Sequence, residues 1–219
     1  MKDTIIVSGG NIQKDFALDF LKKNKTEQTC LIAADRGVEF FMGTDMEPNV
    51  AVGDFDSLSA EGAAYMETLA HTEIIRLKPE KDDSDTQSAV NYAIGQGTEK
   101  ITILGATGNR IDHLMANFGL LMLGRSRCVK IILADAYNYM CLVESGTILK
   151  REEQFGKYVS FFPIEGDVAG LTLKGFKYSL NGYYLKVEDS GLTVSNEIAD
   201  PEAEITFDKG KLLMIMSRD

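Results

Sequence analysis

The chain is short of histidine, cysteine, long apolar runs and positive charge, and each shortage removes a class of function. Two histidines and three cysteines in 219 residues, none at ligand spacing, leave no zinc site and no Ser-His-Asp or Cys-His arrangement. Cys30, Cys128 and Cys141 are odd in number, far apart and in apolar surroundings, the pattern of reduced core thiols in a reducing compartment. No run reaches the ~18 apolar residues of a membrane span, and the apolar stretch at Ile5-Ile6-Val7 is too short for a secretory signal, so a cytoplasmic location is expected. Lysine and arginine total 23 against 33 aspartates and glutamates, a net charge of −10. The basic cluster Lys22, Lys23 and Lys25 ends a helical segment, so nucleic acid and anionic membrane are poor partners. A polyanion can still bind where a divalent cation or a few Lys and Arg side chains reverse the local field.

With 44% apolar and 26% charged residues, the composition is that of an ordinary globular protein of one large or two small domains. Through about residue 135, apolar β-branched runs alternate with helical patterns. Strands are predicted at Thr4–Val7, Cys30–Ala34, Val50–Val52, Glu73–Leu77, Ile101–Leu104 and Val129–Ala134. A helix over Gln13–Lys23 carries Phe16, Ala17, Phe20 and Leu21 on one face. Ser84 and Gln87 form a capping-box pattern at a second helix start. A third helix, Arg110 to Leu123, places Ile111, Leu114, Met115, Phe118, Leu121 and Met122 on a stripe read as core. Strands separated by helices imply a doubly wound, mostly parallel sheet covered on both faces. After residue 135, short alternating and aromatic runs with Gly and Asn turns predict an all-β second domain, closed by a hairpin through Asp208-Lys209-Gly210. The expected division is 1–138 and 139–219, an α/β domain followed by a β-sandwich.

In an open parallel sheet, ligands bind beyond the carboxyl ends of the strands, where loops gather and helices present free N–H groups. The segments there are Ser8-Gly9-Gly10-Asn11, Asp35-Arg36-Gly37, Gly53-Asp54-Phe55-Asp56-Ser57, Lys78 to Asp85, and Gly105 to His113. Asp35, Asp54, Asp56, Asp82, Asp85 and Asp112 would converge on one crevice. Crowded carboxylates raise one another's pKa and cost stability unless a cation neutralises them. Oxygen-only ligands suit Mg²⁺ completed by substrate phosphates. Aspartates also cap helices and start turns, which is the simpler account of any single one. Gly105 to His113 offers a flexible turn, backbone N–H groups and the Arg110 fork, suited to phosphate oxygens, yet it is neither a Walker A loop nor a dinucleotide fingerprint. His113 either contacts a nucleotide or satisfies a local hydrogen bond.

These segments, with Lys81-Asp82-Asp83-Ser84-Asp85-Thr86 and the late Gly191-Leu192 and Ser195-Asn196-Glu197, resemble the thiamine pyrophosphokinase family in order and spacing over about residues 5–198. Arg36 stands where the family often has Gly, and Ala106-Thr107 where it often has a second Gly. The resemblance implies an N-terminal nucleotide-binding domain, a C-terminal β-sandwich and a homodimer holding thiamine between subunits. It implies Mg²⁺-dependent transfer of diphosphate from ATP to the thiamine hydroxyl, giving thiamine diphosphate and AMP. By motif match, Asp54, Asp56 and Asp82 hold Mg²⁺. Asp85 is either a further ligand or the group that orients the nucleophile. Lys81 and Arg110 hold phosphates. Asp35, Asp112 and His113 place the nucleotide, together with Arg36, Gly53 and Gly105. Gln87, Ser195 and Asn196 fall to thiamine. The competing expectations are a diphospho- or nucleotidyl-transferase with another acceptor, and a non-catalytic nucleotide or thiamine sensor.

Overall fold

The computed structural model describes residues 3–78, 80, 82–108, 110–189 and 191–219. It divides into two compact units, Met1–Ala136 and Tyr137–Asp219.

The first unit runs β1 (Asp3–Val7), α1 (Lys14–Asn24), β2 (Thr29–Ala34), a 3₁₀ turn (Asp35–Phe41), β3 (Val50–Gly53), α2 (Ala60–Met66), β4 (Glu73–Arg76), α3 (Asp85–Gly95), β5 (Lys100–Leu104), α4 (Ile111–Ser126) and β6 (Lys130–Ala134). Its strands are all parallel, in the order β4-β3-β2-β1-β5-β6. Ile5, Ile6 and Val7, the whole of β2, and Ile101, Ile103 and Leu104 are buried, as strands covered on both faces require. At the edge, β4 is largely exposed. The chain steps outward from β1 to β4 and then returns to β1's other side as β5. That reversal opens a crevice at the carboxyl ends of β1 and β5.

The helix starts follow from their sequences. Ser84 Oγ accepts the Gln87 N–H at 3.2 Å and caps α3. The Gln87 amide, instead of closing the box, donates to Asp83 at 2.6 Å. Of the expected α4 stripe, Leu121 is buried and Leu114, Phe118 and Met122 are half-buried. Ile111 and Met115 are 74% and 61% exposed, and the buried positions are Asn117, Leu120, Leu121 and Gly124. The period is helical but the face is turned. Gly124 lies against β6, where a Cβ would come within 2.5 Å of Ile131, so the end of the helix with the closest approach decides which side is buried.

The second unit is all β. It comprises β7 (Asn138–Val143), β8 (Thr147–Lys150), β9 (Tyr158–Pro163), β10 (Val168–Lys174), β11 (Leu180–Leu185), β12 (Glu202–Thr206) and β13 (Leu212–Ser217). Strands β7-β13-β9 pair antiparallel, and β11-β10-β12-β8 form a second antiparallel sheet. Val159, Phe161, Leu171, Leu173, Ile205 and Met214 are buried, and the Phe161 and Phe176 rings meet edge to face at 5.5 Å. The expected hairpin of the last two strands does not form: β12 and β13 join different sheets, and the Asp208-Lys209-Gly210 turn bridges to Ala169 between them. Each strand buries its own apolar row, so local turn chemistry could not decide the pairing. Cys30 and Cys141 are buried, whereas Cys128 is exposed, at φ 57°, in the turn that follows α4.

Candidate active site

The parallel register sets the geometry of the carboxylates. Ala34 pairs with Val52, so Asp35 leaves β2 level with Gly53, one residue before Asp54. A Cβ on Gly53 would stand 2.9 Å from the Asp35 Cα, so only glycine lets the two strand ends come this close. Both loops then bend through the left-handed region, Asp35 at φ 49° and Phe55 at φ 62°. Aspartate tolerates that conformation, but for phenylalanine it costs about 1–3 kcal/mol. Burial of the Phe55 ring, with the Arg76 guanidinium 5.5 Å above its centroid, offsets the strain. Anchored between its neighbours, Phe55 leaves Asp54 and Asp56 on the solvent side.

The result is a group in which Asp35, Asp54 and Asp56 offer oxygens within 4.8 Å of one another. Asp54 Oδ1 accepts the Asp56 N–H at 3.2 Å, and Asp35 Oδ2 accepts the Ser57 hydroxyl at 2.5 Å. Asp35 Oδ1 is buried without a hydrogen-bond partner. The Asp54 charge, then burial, then Asp35 and Asp85 push the Asp56 carboxyl above its ordinary pKa. An orphaned buried oxygen beside crowded carboxylates, with no basic side chain among the three, fits a hard divalent cation. Asp85, at the first position of α3, is near enough for its charge to act on Asp56. Asp82 is exposed and stands outside the three-carboxylate group. Lys81 lies outside the described residues.

On the β5 side, Gly105 turns at φ 75° beneath the first loop, where a Cβ on Gly10 would meet the Gly105 carbonyl oxygen at 2.2 Å. Ser8 Oγ and Thr86 Oγ1, 2.6 Å apart, tie the β1 loop to α3. Arg110 grips Asp112 through two bonds, Nε–Oδ1 at 3.1 Å and Nη2–Oδ2 at 2.5 Å, both side chains being exposed. The hydrogen bonds from Arg110 hold the Asp112 carboxyl below its usual range, and the His113 N–H adds to them. The His113 side chain is exposed. Arg36 is exposed and pairs with Glu39.

The catalytic-domain family model for thiamin pyrophosphokinase matches residues 21–133, and the model for that family's vitamin B1 binding domain matches residues 146–212. The chain belongs to the thiamin pyrophosphokinase family. A thiamine pyrophosphokinase of Bacillus subtilis (strain 168) is 34% identical over 219 residues, all of both chains. Among solved structures, a Bacillus subtilis thiamine pyrophosphokinase superposes with a TM-score of 0.89 at 32% identity, again over the whole of both chains. The Geobacillus thermodenitrificans structure gives 0.85 at 30% identity, covering all of this chain and 98% of that one. This membership makes the chain a transferase that delivers diphosphate to thiamine.

Within this thiamin pyrophosphokinase family member, the two residues matched to thiamine lie in the β unit and differ in character. Ser195 is exposed at φ 56°, and its N–H bonds to Ser160 Oγ at 2.9 Å. Asn196 is buried, with Oδ1 accepting the Tyr178 N–H at 2.9 Å and Nδ2 donating to the Tyr178 carbonyl at 2.7 Å. Those bonds make Asn196 a clamp within its own unit. Gln87 is likewise engaged, through Asp83. Sequence reasoning missed Asn117, whose buried Nδ2 donates to the Ala106 carbonyl at 2.8 Å and fixes the Gly105–Gly108 turn. A lone amide within the apolar middle of the helix, residues 114–124, was the available signal.

Proposed function

We propose that the chain transfers the terminal diphosphate of ATP to the hydroxyethyl oxygen of thiamine, with Mg²⁺ at the carboxylate group, releasing AMP. The observation that carries the proposal is the convergence of Asp35, Asp54 and Asp56 within 4.8 Å at the carboxyl edge of the sheet.

Asp54 and Asp56 would hold the cation, with Asp35 and its orphaned oxygen closing the group from the β2 side. A divalent ion bound there supplies charge neutralisation to the phosphate oxygens. The chain's own residues do the rest by alignment and electrostatics. Arg110 exchanges its Asp112 partner for phosphate oxygens, a trade open to it because the pair is exposed and so weakly held. Asp112, released from Arg110, then helps place the nucleotide, while backbone N–H groups of that turn face the phosphates. Asp85 orients the thiamine hydroxyl. A loose transition state asks little deprotonation of that hydroxyl, so orienting it is the larger part of the task. The hydroxyethyl oxygen forms a bond to the β-phosphorus while the bond from that phosphorus to the oxygen of the α-phosphate breaks. AMP takes the released electron pair, and the hydroxyl proton passes to solvent. In the same reading Asp82 is a further cation ligand, Lys81 a phosphate-side group, and Gln87 and Ser195 thiamine contacts.

The working form is a homodimer. In the β unit, Tyr178, Tyr184, Val187, Leu192 and Val194 are exposed large hydrophobic side chains, the kind of surface that a second copy covers. Sedimentation of the active protein should give a dimer; an active monomer would refute this.

The decisive assay incubates the protein with ATP, thiamine and Mg²⁺ and separates products by chromatography. Equal amounts of AMP and thiamine diphosphate are expected. ADP with thiamine monophosphate would overturn diphosphate transfer.

A further inference from the structure

Glu39 is a partly buried carboxylate beside the site that takes no part in the chemistry above. It lies in the 3₁₀ turn after β2, its side chain 18% exposed. Its two oxygens are both engaged: Oε1 accepts the Ser59 N–H at 2.7 Å, and Oε2 accepts the Arg36 Nε–H at 3.0 Å. Gly62 makes room for it, since a Cβ there would meet Oε1 at 2.5 Å. From the same turn, Asp35 receives the Ser57 hydroxyl. Two carboxylates of one turn therefore grip two successive points of the loop that carries Asp54 and Asp56.

We propose that Glu39 is a positioning residue for the cation site, a strut that seats the 54–59 loop so that Asp54 and Asp56 face Asp35, with Arg36 as the brace that holds the strut. The inference rests on the assignment of Asp54 and Asp56 as cation ligands. Three carboxylates within 4.8 Å repel one another, and a loop bearing two of them spreads unless something fixes its far end. A charge-assisted bond to the Ser59 N–H does this at the start of α2, where Ser59 Oγ also accepts the Gly62 N–H at 3.0 Å. Groups that orient metal ligands in this way contribute to affinity without touching the ion. Burial works against the Glu39 charge, but the bonds from Ser59 and Arg36 outweigh it and hold the carboxyl below its ordinary range. Arg36 thereby acquires a role. It stands where the family pattern often has glycine, and it points its guanidinium along the turn to Glu39.

The test is an electron paramagnetic resonance titration with Mn²⁺ and α,β-methylene-ATP, run beside steady-state kinetics and thermal unfolding. Glu39→Ala should weaken Mn²⁺ binding about tenfold and raise the Mg²⁺ concentration for half-maximal rate in parallel, leaving the KM for thiamine unchanged. Glu39→Gln keeps an oxygen for the Ser59 N–H and should restore affinity to within about threefold of wild type, and Arg36→Ala should fall at about the same level. Wild-type Mn²⁺ affinity in a folded Glu39→Ala protein would overturn the proposal, whatever its melting temperature. Should that variant fail to fold, Glu39→Asp, one methylene short of Ser59, replaces it with the same two outcomes. A wild-type protein that bound no Mn²⁺ would overturn the cation assignment itself, and this inference with it.

Discussion

Removing the Asn117 amide isolates one link between packing and nucleotide binding. Its Nδ2 donates at 2.8 Å to the Ala106 carbonyl, and both residues are nearly inaccessible, at 8% and 3% exposure. Asn117→Ala deletes the donor and leaves a buried carbonyl without it, a loss of about 1–3 kcal/mol. For a chain of this length each kcal/mol moves the midpoint by about 2–4 °C, so a fall of roughly 4–8 °C is expected at the middle of that range. The Ala106 carbonyl also fixes the turn that leads to Arg110, and its release lets the phosphate-facing N–H groups drift. The KM for ATP should rise about tenfold while that for thiamine stays put. Asn117→Asp, of the same shape, sets an acceptor against an acceptor and should be at least as damaging. Thermal unfolding and steady-state kinetics with each substrate varied in turn give the answer. A lowered midpoint with wild-type KM for ATP in both variants would refute the coupling of this amide to the phosphate turn.

Other outcomes follow from the same structure. Asp54→Asn and Asp56→Asn should each cut turnover by orders of magnitude while the chain stays folded. Without metal their melting temperatures should not fall, because each substitution removes a like charge from the group. Mg²⁺ should raise the melting temperature of the wild type by mass action and fail to do so in either variant, a contrast that calorimetry reads directly. Glu39 has a depressed pKa in the folded state, so its stabilisation is present above the unfolded glutamate pKa and is lost as pH falls through the folded value. The gap in melting temperature between wild type and Glu39→Gln should accordingly be open at neutral pH and close in acid; a constant gap would contradict the assignment.

Much of the first unit was legible because its signals are local. Five of its six strands are apolar runs buried in the sheet, and the residue that caps α3 is the serine the pattern names. That Asp35, Asp54 and Asp56 leave the sheet at one edge was legible for a topological reason, since parallel strands send all their following loops there, but of the six aspartates expected to converge Asp82 stands outside the group and Asp112 pairs with Arg110. What remained hidden depended on contacts distant in sequence. The α4 face is chosen by Gly124 against β6, and β12 and β13 separate because different sheets bury their apolar rows. Glu39 carries no motif, and its partner Ser59 is 20 residues away. The motif match gave Asp82 to the cation and Asp35 to the nucleotide; that Asp35 is the one standing with Asp54 and Asp56 depends on register and on the absence of a side chain on Gly53, details that spacing alone does not encode.

Anomalous diffraction from crystals grown with Mn²⁺ and α,β-methylene-ATP tests the central claim most directly. The structure predicts one strong peak within bonding distance of carboxylate oxygens from Asp54 and Asp56, on the side that Asp35 Oδ1 faces. A peak bound by phosphate oxygens and water alone, with these carboxylates turned elsewhere, would contradict it.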